Sequence, residues 1–303
     1  METHPVPSPL TFDSKGTQLV GDLYLPDGAA ATPGDGAIRS RHPAVVTAPG
    51  FGGVKEMLIP AYADAMARAG IACLAFDYAG FGVSGGASRQ HVNPRAQAQA
   101  FVDALDALAI HPSIDARRLG AWGTSLSGGH ALRIAARDAR IRCAVAIIPF
   151  ISAPKAPDFL LVREVVANAT LRALGRPDGM IPSAGPPGTR AIMTSDGAAE
   201  WLAEMSRNAP SFRNEVTVSS LWNMARYDVS NDASSVTIPL RVILATQDSI
   251  TPAAKVRAAF SKRRDLSNVD FVEFPETHFE LFGRHNDEAI RLTVEWLVRH
   301  LRQ

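Results

Sequence analysis

Ser125 lies in Gly123-Thr124-Ser125-Leu126-Ser127, a serine with a small residue two positions to either side. Leu119 to Gly123 reads as a short buried strand, and the residues after Ser125 turn through small side chains into a helix. A residue at such a strand-to-helix corner is forced into a strained φ/ψ region, and a bulky neighbour at either small position would collide with the returning backbone. The corner holds the hydroxyl clear of the sheet and leaves the next N–H free to meet a developing oxyanion. Ser127 fits the same pattern through Ser125-Leu126-Ser127-Gly128-Gly129. Strand length favours Ser125, because an elbow at Ser127 would extend the strand across Gly123 and Thr124.

A serine hydroxyl is a poor nucleophile until a base takes its proton, and the base needs an acid to fix its tautomer and stabilise its charge. The chain has eight histidines. His4, His42 and His91 precede the elbow, His111 ends a helix before Pro112, and His130 sits on the elbow helix, where capping or packing accounts for it. His285 and His300 belong to or border a final helix. His278 stands in Pro275-Glu-Thr-His-Phe-Glu, between the last strand and the last helix. Among the acids, Asp248 follows an apolar strand in Thr-Gln-Asp-Ser-Ile-Thr-Pro. Thr251 and Pro252 also read as a helix cap and first turn, so the residues alone leave open that Asp248 only shapes a loop. Asp77 ends an earlier strand, and Asp228, Asp232 and Glu276 are further candidates.

The run Gly-Thr-Ser-Leu-Ser-Gly-Gly-His over 123–130 resembles the nucleophile elbow of the α/β-hydrolase family. It is closer to the dienelactone-hydrolase-like and X-Pro-dipeptidyl-peptidase-like branch than to the lipases. Ser127 departs from the pattern, since Gly is commoner there. The resemblance implies the chain order nucleophile, acid, histidine, and so a triad of Ser125, Asp248 and His278. It implies an oxyanion hole of two backbone donors, Leu126 N–H and Phe51 N–H, with Gly52 the second choice in that loop. Pro49-Gly50 stands where many relatives carry His-Gly, which loosens the register of that loop. The implied reaction is hydrolysis of a carboxylic ester, or of a thioester, lactone or amide, through an acyl-enzyme on Ser125. Two other classes remain: acyl transfer to an alcohol with the same triad, and a non-catalytic binding protein on a hydrolase scaffold.

The elements that must position these residues alternate along the chain. Leu10–Asp13 and Gln18–Leu25 flank Ser-Lys-Gly and predict an antiparallel hairpin. Apolar strands are expected at 43–48, 71–76, 119–123, 141–148, 240–245 and 269–274. Helices are expected at about 60–69, 94–108, after the elbow, after Pro252 and at about 286–301. Asn93 caps and Pro94 opens the second of these. Strands apolar throughout, alternating with helices, predict an α/β fold whose mostly parallel sheet is covered by helices on both faces. Residues 26–42, rich in Gly, Ala and Pro, read as a loop. Gly80, Gly82 and Gly85 spell G-x-G-x-x-G, but no helix opens on the third glycine, so a tight loop is the better reading than a dinucleotide site.

The rhythm breaks at Pro149 and resumes at Pro239. The chain therefore divides into a core, 1–150 and 237–303, and an inserted helical cap, 151–236. Helical stretches are expected near 159–174, 198–209 and 213–227, split by a Pro/Gly-rich segment at 175–189. Phe150, Phe159, Trp201, Met205 and Trp222 are candidates for the substrate pocket.

At 303 residues, 46% hydrophobic and a formal net charge of +1, the chain suits a large α/β domain and offers no basic stripe for nucleic acid. No apolar run reaches the length of a membrane span. Residues 1–10 lack the basic start and apolar middle of a signal peptide, so a cytoplasmic protein is expected. Cys73 and Cys143 lie in separate apolar runs and read as buried thiols. The partner expected is a small-molecule acyl substrate, with no metal and no organic cofactor. A homo-oligomer is left open.

Overall fold

The first two strands, β1 (Ser8–Ser14) and β2 (Thr17–Tyr24), form the expected hairpin, pairing Ser14 with Thr17 across a turn in which Lys15 and Gly16 both take positive φ. The computed structural model describes residues 6–26, 41–153, 159–195 and 197–302. Most of the loop expected at 26–42 lies outside the described residues.

Strand and helix then alternate. β3 (His42–Thr47) leads to α1 (Ile59–Arg68), β4 (Ala72–Phe76) to α2 (Pro94–Ala109), and β5 (Ile114–Thr124) turns directly into α3 (Ser125–Arg137) before β6 (Ile141–Ile147). The Asn93 side chain accepts from Ala96 N–H, capping α2 as its sequence predicts. β5 starts five residues earlier than Leu119 and ends at Thr124, so the elbow corner falls on Ser125.

After β6 the chain leaves the sheet. It forms α4 (Phe159–Ala173), β7 (Met180–Ile181), α5 (Ala198–Ser206), β8 (Val216–Thr217), α6 (Ser219–Ala225) and α7 (Ser230–Ser235). The expected helix at 213–227 is corrected here: residues 213–215 are irregular, 216–217 form β8, paired antiparallel with β7 from the Pro/Gly-rich segment, and only 219–225 is helical. Val216 and Thr217 are β-branched and fully or nearly buried, which favours the short ribbon over a helical turn. The sheet resumes with β9 (Leu240–Ala245), followed by α8 (Ala253–Phe260), β10 (Val269–Phe274), the short α9 (Glu280–Arg284) and α10 (Asn286–Leu301). Neither α7 nor α9 was legible as a helix, because one short turn shows no amphipathic period.

The eight strands form one sheet in the order β1-β2-β4-β3-β5-β6-β9-β10. Only β2 runs against the rest, being antiparallel to both β1 and β4. Alternate residues of the central strands feed two cores, as the strand period requires. Ala44, Val46, Leu74, Phe76, Ala121, Ala144 and Val242 face α2, α3 and α8. Val45, Cys73, Trp122, Cys143, Val145 and Ile243 face α1, α9 and α10. Burial on both faces explains why these strands read as unbroken apolar runs. Cys73 and Cys143 are both buried and free, on strands that are not neighbours, and burial raises both thiols, Cys143 to about 12. No helix among the described residues is long and apolar enough to cross a membrane.

Candidate active site

Ser125 has φ of +53°, a left-handed conformation that a non-glycine residue adopts only under constraint. The constraint is visible in its neighbours. A Cβ at Gly123 would lie 2.3 Å from the Ser127 carbonyl oxygen, and one at Gly129 would lie 2.4 Å from that of Phe150. The helix can fold back on its strand only with glycine at both positions. Ser127 replaces the commoner glycine without a clash and has a task of its own. Its hydroxyl accepts from Thr124 N–H at 2.9 Å and donates to the Thr124 carbonyl at 2.9 Å, fully buried. That hydroxyl is committed to closing the corner. Ser125, by contrast, lines a cavity of about 60 Å³.

His278 lines the same cavity. It follows β10, and its Nδ1 lies 2.6 Å from Asp248 Oδ2 although the two residues are 30 apart in sequence. Asp248 follows β9, the strand hydrogen-bonded to β10, so adjacent strand ends bring the two loops together. The Asp248 carboxylate is fully partnered. Oδ1 accepts Ile250 N–H at 2.7 Å and Thr251 N–H at 2.8 Å, and Oδ2 accepts the Thr251 hydroxyl at 2.6 Å. Burial alone would raise its pKa, but the bonds from His278 and Thr251 outweigh burial and hold it below the ordinary carboxylate range. It is therefore an anion set against the imidazole.

The rival acids are engaged elsewhere. Asp232 is paired with Arg133 and Arg137, and Glu276 with Arg284 and His285. Asp228 accepts Ser230 N–H at 2.7 Å. Asp77 is fully buried at the end of β4 and accepts Lys55 N–H at 2.7 Å and Val83 N–H at 3.2 Å. It ties the loop after β3 to the glycine loop after β4; burial, opposed by those N–H bonds, raises its pKa. A Cβ at Gly82 would sit 2.0 Å from its Oδ2, which explains one glycine of the G-x-G-x-x-G run as room for this carboxylate. His130 is fully buried, with Nδ1 2.8 Å from the Tyr227 hydroxyl, and burial, aided by Arg133, lowers its pKa to about 3.

The loop anchored by Asp77 passes directly over the elbow. A Cβ at Gly50 would lie 3.5 Å from Ser125 Cβ, and Gly53 N–H donates to Gly50 C=O at 3.3 Å, turning the chain there. Phe51 lines the cavity beside Ser125. Leu126 is the second residue of α3, where backbone N–H groups have no intrahelical acceptor and the helix dipole favours negative charge.

Of the five pocket candidates, the structure brings Trp201 to the cavity wall, packed on Phe279 at 5.2 Å between ring centroids. Met205 belongs to the small apolar cluster around that wall. Phe150 stacks on Tyr227, and its N–H donates to the Ser125 carbonyl at 2.8 Å. Neither Phe150 nor Met205 is among the residues lining the cavity, and Phe159 and Trp222 are 77% and 57% exposed and also lie outside it, so these four expectations are corrected. Trp222 instead sits under Arg226, 5.6 Å from the guanidinium carbon. Other large side chains of the wall include Met57, Leu58, Met193, Leu202, Phe212 and Phe282. Phe279 was findable as the neighbour of His278. Met193 and Phe212 were not, since both stand in segments without a period.

Residues 39–283 match the family described as serine aminopeptidase, S33, and the chain belongs to this family of α/β-hydrolases. Among proteins it resembles is thiohydrolase aneE of Aspergillus aculeatus, 30% identical with 95% of this chain and 91% of that protein covered. The quorum-quenching protein AidA of Acinetobacter baumannii is 27% identical, with 97% and 95% covered. Polyketide transferase grgF of Penicillium sp. is 23% identical, with 86% and 89% covered. The crystal structure of the α/β-hydrolase GrgF superposes with a TM-score of 0.79 at 20% identity, over 98% of this chain and 99% of that one, a likeness of fold. The protein is thus an α/β-hydrolase enzyme.

Proposed function

We propose that this enzyme cleaves a neutral, apolar acyl ester or thioester through an acyl-enzyme on Ser125. The observation that carries the reading is that Ser125 and His278 line one apolar cavity, with His278 held by Asp248 at 2.6 Å. Ser125 Oγ attacks the acyl carbonyl carbon while His278 takes the hydroxyl proton, and Asp248 holds the Nδ1–H and balances the imidazolium. The carbonyl oxygen becomes an oxyanion between Leu126 N–H and Phe51 N–H. His278 returns the proton to the departing alcohol or thiol, and water, activated by the same base, releases the acid.

The 151–236 insertion acts as the cap of this site, since Ser183, Met193, Trp201 and Phe212 line the cavity together with Ser125 and His278. None of the described cavity-lining residues is an Asp, Glu, Lys or Arg. Nothing among them would hold the terminal ammonium of a peptide, which favours an ester or thioester over aminopeptidase chemistry. The thiohydrolase name of a relative points the same way. Within the family, the Gly-Thr-Ser-Leu-Ser-Gly-Gly-His elbow favours the dienelactone-hydrolase-like branch. The polyketide transferase among the relatives favours a second reading, transfer of the same acyl group to an alcohol.

A fluorophosphonate should modify Ser125, located by peptide mass spectrometry, and a panel of esters, thioesters, lactones and aminopeptide substrates should show turnover of the first two. Modification at another serine, or none, would refute the assignment. Product analysis with added alcohols separates transfer from hydrolysis.

A further inference from the structure

We propose that the exposed face of α4 joins two copies of this chain, through an antiparallel pair of α4 helices related by a two-fold axis at Val166. Phe159, Val162, Val166, Ala169 and Ala173 recur at steps of three and four residues, and all are exposed, Phe159 at 77% and Val166 at 60%. Such steps keep the five on one stripe about 80° wide, the width of a seam between two helices. A separate face of α4 already serves the fold. Leu161 and Val165 pack on the core, and the buried Asn168 donates to Asp178 and accepts Gly179 N–H. The stripe itself is left to solvent.

The stripe is complementary in size to itself. Its first half is bulky, with Phe159 and Val162, and its second half is small, with Ala169, Thr170 and Ala173. When two α4 helices run antiparallel about Val166, Phe159 meets Ala173 of the second copy, Val162 meets Thr170, and Val166 meets itself. Each layer then joins a larger residue to a smaller one, or two valines, and fills the seam without crowding. A parallel pair would set Phe159 on Phe159 and Ala173 on Ala173, crowding one end and opening the other. The Thr170 hydroxyl already donates to the Val166 carbonyl at 3.1 Å, so it brings no unpaired donor to the seam.

Charge and area allow the pairing. Arg163, beside the stripe, would face Ala169 and Thr170 of the second copy rather than another cation, and the chain as a whole carries only +1. Antiparallel helices also bring opposite dipole ends together. At their exposures Phe159, Val162, Val166 and Leu174, which follows the helix, offer on the order of 500 Å² of apolar side chain per copy, so a pair would bury about 1,000 Å² or more, the least that a specific interface needs.

The test is the oligomeric state, which is independent of the reading of Ser125. Sedimentation velocity at micromolar concentration should give twice the chain mass. Val166→Asp sets two carboxylates against each other on the axis and should weaken the dimer by about 100-fold or more, with circular dichroism unchanged. Under mild oxidation Val166→Cys should cross-link to its own copy, while Cys73 and Cys143 are buried and do not compete. Phe159→Cys alone should not cross-link, because its two copies would stand about 20 Å apart along the helices. Mixed with Ala173→Cys, it should. A monomeric wild type overturns the proposal, as does a dimer that survives Val166→Asp or cross-links through Phe159→Cys alone. A monomer that sediments with phosphatidylglycerol vesicles, and ceases to in Val166→Asp, would give the stripe to a lipid surface and overturn it equally.

Discussion

The Ser127 hydroxyl bridges the two backbone groups of Thr124, accepting its N–H and donating to its carbonyl at 2.9 Å each. A serine that reads as a rival nucleophile is thereby placed as the clasp of the corner that presents Ser125. Ser127→Ala should lose about 1–2 kcal/mol of stability through two unpaired buried groups and still react with a fluorophosphonate. Ser125→Ala should keep its melting temperature and lose turnover by about 10³ or more. Thermal melts and labelling of the same two preparations decide it, and the reverse pattern would move the nucleophile to Ser127.

Asp77 and Asp248 both end strands, yet their surroundings assign them different tasks. Asp77 accepts two backbone N–H groups and ties two loops together. An amide there points an NH₂ at one of those donors, so Asp77→Asn should lower the melting temperature most. Asp248→Asn cannot hold His278 in the tautomer the reaction needs, and turnover should fall by roughly 10³–10⁴ with the fold kept. A stable Asp77→Asn that is inactive, beside an active Asp248→Asn, would contradict this division.

His130 makes stability depend on pH. Burial, with Arg133 adding, lowers its pKa to about 3, against roughly 6.5 in an unfolded chain. The unfolded chain therefore binds a proton that the folded chain refuses, and stability falls as pH drops from about 6.5 toward about 3. Asp248 adds to the loss at the acid end, because its lowered pKa contributes stability above the unfolded carboxylate range that disappears as pH falls through the folded value. Denaturant titrations between pH 4 and 7 should show a slope that His130→Phe reduces; an unchanged slope would place the linkage elsewhere.

Trp201 and Trp222 separate pocket from surface. Trp201→Ala should widen the cavity and shift the preferred acyl group toward larger ones, read as kcat/KM along an ester series. Trp222→Ala should leave that series unchanged, as its ring is 57% exposed and stacked with Arg226. Equal shifts from both would mean that the cap rearranges when substrate binds.

The alternation of apolar strands with amphipathic helices, the capped start of α2 and the elbow were legible in the sequence. Each is governed by contacts within a few residues or by a repeating period. The chain order Ser125, Asp248, His278 came from resemblance, because chain order can be read where geometry is unseen. Tertiary structure alone set Asp248 against His278, since that distance depends on β9 and β10 pairing in register. It also decided which residues line the cavity. Between β6 and β9 the chain forms helices and a two-residue ribbon whose burial comes from tertiary packing rather than from a period of their own, so Trp201 and Trp222 look alike in sequence while only Trp201 lines the cavity and Trp222 is exposed.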